Sequence, residues 1–185
     1  MTALRAAASL LLGVAIGAAA SWTFFEWNSP RSAAGDFGSL AKRAALAHAT
    51  YAPEVRHPVE VGADQEPHLV AWLSKRLEAE VRVPKLAAEG FALVGGRLLP
   101  GEAPSPGVPL PAAQFMYENA NGRRITLYVR KAGLHERADL RYAREAGVGI
   151  FHWIDGALAY ALASGDMGRG ELRRLAESVQ RQGNR

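Results

Sequence analysis

The five histidines stand at positions 48, 57, 68, 135 and 152, and no two share the i, i+4 spacing that puts a pair of metal ligands on one helix face. The chain has no cysteine, which removes disulfides, thiolate zinc sites and a lipid-anchored mature N-terminus. His152, Asp155 and Ser164 supply the residue types of a nucleophilic triad, but neither a nucleophile elbow nor an oxyanion loop accompanies them. His152 lies between Phe151 and Trp153, so strand alternation puts it on the face opposite these aromatics, where an exposed or locally bonded histidine is expected. His57 precedes Pro58 and shapes a turn. The run Gly165-Asp166-Met167-Gly168-Arg169-Gly170 lacks a phosphate-loop lysine and departs from dinucleotide-fingerprint spacing. These absences predict no catalytic residue, no metal and no cofactor, and leave non-covalent recognition as the expected chemistry.

The charge balance points the same way. A formal charge of +4 is spread among acidic residues, as between Glu171 and Glu177, which describes a solvated mixed surface rather than a nucleic-acid groove. Aromatic residues on the predicted strands are expected in a core and not on an RNA-stacking platform.

The elements that must position any such surface begin with an apolar N-terminal run. Residues 1–5 form a short stub, and from Ala6 to Phe25 there is no charged residue, which is long enough for a helix to cross the hydrocarbon core. Arg5 before the run and Glu26 after it orient the start to the cytoplasm and the remainder outside, with Trp22, Phe24, Phe25 and Trp27 at the exit interface. Residues 6–27 are therefore expected to be a retained transmembrane helix; the rival is a cleaved signal peptide, with Ala18 and Ala20 as its small-x-small site. Ser9, Gly13, Gly17 and Ser21 recur every four residues, a stripe for helix–helix contact and a homodimer, or simply the small residues common in membrane helices.

Residues 28–36 are expected to be a linker and residues 37–185 an α+β domain: an antiparallel β-meander with flanking helices. A helix carries Phe37, Leu40, Ala41, Ala44 and His48 on one stripe and ends at Tyr51-Ala52-Pro53. His57 to Val61 reads as a short strand, and Asp64 as the cap of a helix burying Leu69, Trp72, Leu73 and Leu77. Phe91 to Leu99 is a strand bent at Gly95-Gly96, followed by an exposed proline-rich connection to Pro111. A hairpin with a three-residue loop, Ala120-Asn121-Gly122, is chosen because it sets Tyr117 opposite Ile125, Phe115 opposite Leu127 and Glu118 opposite Arg124. Leu140 and Tyr142 mark another strand. A two-residue turn at Asp155-Gly156 predicts Trp153 opposite Leu158 and Phe151 opposite Tyr160. A last helix from Met167 to Gln180, capped by Asp166, buries Leu172, Leu175, Ala176 and Val179.

The words Tyr51-Ala52-Pro53-Glu54-Val55-Arg56-His57-Pro58-Val59-Glu60-Val61, His68 to Leu77, Gly90 to Leu99 and Gln114-Phe115-Met116-Tyr117, in this order after an apolar run, resemble the membrane-bound anti-sigma factors of proteobacteria. The resemblance implies a single-pass inner-membrane protein with its C-terminal domain in the periplasm, regulating transcription through an extracytoplasmic-function sigma factor under envelope stress. It also implies a periplasmic protein or protease as partner. In that family a cytoplasmic helical domain holds the sigma factor, sometimes with a zinc motif. Here only Met1 to Arg5 precede the run and there is no cysteine, so the expectation is a fragment or alternative start of a longer regulator, or an exported domain used alone. The leading alternative is an exported envelope-assembly or binding module without a link to transcription, and an envelope hydrolase comes third.

Overall fold

A computed structural model describes residues 33–101, 110–133 and 139–183. The apolar run 6–27, with Ser9, Gly13, Gly17 and Ser21, lies outside the described residues, as does most of the proline-rich connection. Among the described residues no helix is long and apolar enough to cross a membrane. From Asp36 onward the chain forms one compact unit.

Helix α1, Ala33–Tyr51, begins within the stretch expected to be a linker and ends one residue before Ala52-Pro53. The extended segment expected at His57 to Val61 narrows to a two-residue edge strand, β1, Val61–Gly62. Asp64 does not cap the next helix. It sits inside a short 3-10 turn, Ala63–Gln65, and α2, Glu66–Leu77, starts with a proline in its first turn and no side-chain cap. Leu69, Leu73 and Leu77 are buried along one side of α2, whereas Trp72 is only half-buried at the edge of the same cluster. The helix stripe is narrower than the sequence spacing implied, and Trp72 falls on its margin.

Six longer strands follow: β2, Phe91–Pro100; β3, Pro111–Asn119; β4, Arg124–Lys131; β5, Arg141–Glu145; β6, Val148–Asp155; and β7, Leu158–Ser164. All pair antiparallel in one sheet of order β1-β2-β3-β4-β7-β6-β5, closed at the chain's end by α3, Arg169–Gly183. The sheet is two meanders rather than one. The first runs β1 to β4, and the second returns from the far edge so that β7 pairs with β4 in the middle.

The first hairpin has the expected register, Tyr117↔Ile125, Phe115↔Leu127 and Glu118↔Arg124. Gly122 takes a positive φ of 75°, and the Asn119 side chain accepts the N–H groups of Asn121 and Arg123 across the loop. In β2 the register slips between Leu93 and Gly95, leaving Val94 as the extra residue of a bulge. There a Cβ on Gly95 would lie 2.2 Å from the Val61 carbonyl oxygen, so only glycine lets β1 approach.

The last hairpin departs from expectation. Its loop is Gly156-Ala157, and Trp153 pairs with Tyr160 and Phe151 with Leu162, two residues away from the predicted partners. Gly156 alone has positive φ, as a loop that opens on glycine requires. A further hairpin joins β5 to β6 through Ala146-Gly147, both at positive φ, which the sequence reading passed over.

Two cores sandwich the sheet. On one face α2 and α3 cover the large apolar side chains Phe115, Tyr117, Ile125, Leu127, Phe151, Trp153 and Leu162. On the other face Leu40, Ala41, Ala44, Ala45 and Ala47 of α1 share a cluster with Leu99, Ala112, Tyr128, Val148, Ile150, Ala159, Ala161 and Ala163. The buried side of α1 is mostly alanine, which removes less apolar surface per residue than the leucines of α2 and α3.

Candidate functional site

What fastens α1 is polar. His48, in its last turn, extends the stripe of Leu40, Ala41 and Ala44, and is buried with 5% of its surface exposed. Its Nε2 accepts the backbone N–H of Gly165 at 3.1 Å, and its Nδ1 lies 3.0 Å from the Thr126 hydroxyl. A backbone amide can only donate, so Nε2 is the bare nitrogen and Nδ1 carries the proton and donates to Thr126. The ring is thereby fixed as one neutral tautomer. Burial pushes its pKa down to about 4, with the Asp166 carboxylate opposing part of the fall.

Arg124 provides the second fastening. Its Nη1 donates to the carbonyl oxygens of Ala52 at 2.9 Å and Glu54 at 2.6 Å, just past the end of α1, while its Nε pairs with Glu118 on the neighbouring strand. Third, the Arg97 guanidinium lies 3.6 Å from the centre of the Tyr51 ring and donates to the His57 carbonyl at 2.8 Å. His57 belongs to a turn, as expected, held by the Glu54 carboxylate, which accepts the N–H groups of Arg56 and His57.

The strand registers explain why these groups meet. Arg97, Gln114, Tyr128, Ala161, His152 and Arg141 are successive partners across β2, β3, β4, β7, β6 and β5, a row of mostly polar side chains broken only by Ala161. Strand alternation sets this row on the face away from Phe115 and Trp153, and alternation alone reads such residues as solvent-facing. Instead α1 covers that face, and five of the six members of the row, Arg97, Gln114, Tyr128, Ala161 and His152, are at most 7% exposed, as are Thr126 and Arg130 on β4. Gln114 is the sharpest case. Both polar atoms of its amide are buried without a hydrogen-bond partner among the described residues.

His152 is therefore on the predicted face and, of the two states expected there, is not exposed but buried; burial together with Arg141 lowers its pKa. The sheet does not bring His152, Asp155 and Ser164 together. Ser164 pairs with Gly149 at one end of the β6–β7 hairpin and Asp155 with Leu158 at the other, six residues or roughly 20 Å apart along the strand. The Ser164 hydroxyl donates to the Asp166 carboxylate at 3.0 Å. Asp166 does not cap α3; the first turn closes on the Gly168 carbonyl, and Asp166 faces Arg123, which also grips Glu171. Among the described residues no group of three histidine or carboxylate side chains converges as metal ligands would.

The meeting of Thr126, Gly165, Arg124, Arg97 and Gln114 with α1 escaped the sequence reading. A usable signal was present in His48, a histidine on the apolar stripe of a helix, and in Gln114 and Thr126, polar residues inside strands with no charged neighbour on either side.

The fold and this clamp define an α+β domain in which a helix is pinned by hydrogen bonds across one face of an antiparallel sheet. Compared with known proteins, the chain matches no protein-family model and no curated protein.

Proposed function

We propose that this is the extracytoplasmic sensory domain of a membrane-anchored anti-sigma regulator, acting by protein interaction and not by catalysis. The observation that carries the reading is the fastening of α1. This helix follows directly on the apolar N-terminal segment in sequence, and His48, Arg124 and Tyr51 tie its end to the sheet. A helix that follows the apolar segment in sequence, has a mostly alanine buried side and is tied at its end by polar contacts is a suitable element to transmit binding of a partner on the domain or to expose the chain to proteolysis. A bistable element of that kind needs only a few kcal/mol between its states. The words from Tyr51 to Val61 and from His68 to Leu77, which resemble the anti-sigma family, fall on the clamp's own connection and on α2.

The test is genetic and topological. A periplasm-dependent reporter fused after Arg185 is expected to be active, and removal of the gene is expected to derepress a discrete set of promoters. His48→Ala in the full chain is expected to produce the same derepression. An unchanged transcript profile after removal of the gene overturns the regulatory reading.

A further inference from the structure

A cleft of about 470 Å³ opens where the β6–β7 turn meets the C-terminal end of α3 and the extended segment that follows α2. It lies within the size range of small-ligand sites. Trp153 and Tyr160, cross-strand partners, stack in its wall with ring centres 5.3 Å apart and planes 9° from parallel, and Val83 and Val179 line it beside them. Trp153 is fully buried, whereas Tyr160 is half-exposed to the cleft.

Charge is unbalanced there. Glu80 is paired with Arg82 at 2.9 Å and Glu78 with Lys131 at 3.3 Å, but Asp155 has no ion pair among the described residues. The Asp155 carboxylate is also pressed against the last residue of α3: a Cβ on Gly183 would lie 2.5 Å from its Oδ2. A helix C-terminus carries partial negative charge, so a carboxylate placed beside it is doubly in want of a cation. Aromatic faces favour cations as well, and apolar walls suit the methylene stem of a long basic side chain. Arg82 also lines the cleft and is paired there with Glu80.

From Asp155, which has no ion pair among the described residues, the end of α3 and the Trp153–Tyr160 stack, we propose that this cleft binds a lysine or arginine side chain presented by a partner polypeptide. The site lies apart from the α1 clamp in sequence and does not depend on the regulatory reading.

The probes are the capped tripeptides Gly-Arg-Gly, Gly-Lys-Gly and Gly-Gln-Gly, with butylammonium as the free amine. Each is titrated into the full chain in detergent micelles while the indole N–H resonance of Trp153 is followed by NMR. The basic peptides are expected to shift it saturably and the glutamine peptide to leave it in place. Asp155→Asn, checked for an unchanged melting profile, is expected to weaken the basic peptides at least about tenfold. Tyr160→Leu, which removes the aromatic face, serves as a second variant should Asp155→Asn fail to fold, and weakening is expected there too. A response equal for arginine and glutamine peptides, or undiminished in the folded variants, overturns the site. Butylammonium binding as tightly as the peptides overturns the polypeptide partner.

Discussion

The Nε2 of His48 accepts the amide of Gly165 at 3.1 Å across 117 residues of chain, so the end of the first helix is bonded to the link between the last strand and the last helix. That bond exists only while the imidazole is neutral, because a protonated ring has no lone pair to accept with.

Acid is therefore expected to loosen the domain through His48. Its pKa falls from 6.5 to about 4 on folding, so the unfolded chain binds the extra proton between these values. Stability is complete above pH 6.5 and declines as pH falls toward 4, with a total loss of about 3 kcal/mol from this group. His152, whose pKa burial also lowers, adds a contribution of the same sign. Denaturant unfolding across pH 7 to 4 checks this, and His48→Gln is expected to flatten the slope without abolishing it. An unchanged slope in that variant refutes the assignment.

Removing the second fastening separates helix from sheet more selectively. Arg124→Ala is expected to cost about 1 to 3 kcal/mol, since it leaves the Ala52 and Glu54 carbonyls and the Glu118 carboxylate without their donor. Hydrogen exchange should quicken in α1 while β6 and α3 keep their protection; uniform quickening would mean that α1 and the sheet unfold as one unit.

Gln114 offers the opposite sign. Its buried amide forms no hydrogen bond among the described residues, so Gln114→Met, which keeps the length and drops the polar atoms, is expected to raise stability by about 1 to 2 kcal/mol. A loss of stability in urea unfolding would show that the amide has a partner after all.

The two neighbours Trp72 and Leu73 rank inversely to their size. Leu73 is fully buried, and Leu73→Ala is expected to cost about 2 to 5 kcal/mol. Trp72 is half-buried at the cluster's margin, and Trp72→Ala is expected to cost less, about 1 to 2 kcal/mol. Urea midpoints of the two variants decide the order.

What could be seen in the sequence follows from what each signal can distinguish. The Tyr117–Ile125 register was legible because the competing loop would have moved Glu118 to the apolar face. The Trp153 pairing was not, because the true and expected registers differ by two residues, which leaves every side chain on the same face. The turn at Ala146 was missed because its φ of 48° is one that alanine rarely adopts. The clamp was invisible for a different reason: the bond partners of His48 lie on β4 and after β7, and only the sheet order brings them together. His152 was placed on the right face, but that α1 buries it was not legible, because alternation identifies faces and does not tell what covers them.

The pairing of β4 with β7 has a consequence for the chain as it is made. Lys131 pairs with Leu158, so one edge of β4 has no native partner until the whole second meander has emerged. During that interval Ile125-Thr126-Leu127-Tyr128-Val129, a run rich in β-branched and aromatic residues, is an adhesive template for other nascent chains. Arg123 and Arg124 precede it and Arg130 and Lys131 follow it, so four cations bracket the five residues as gatekeepers against self-association. Arg124, which in the finished domain grips the end of α1, thus has an earlier task in keeping the unfinished one soluble.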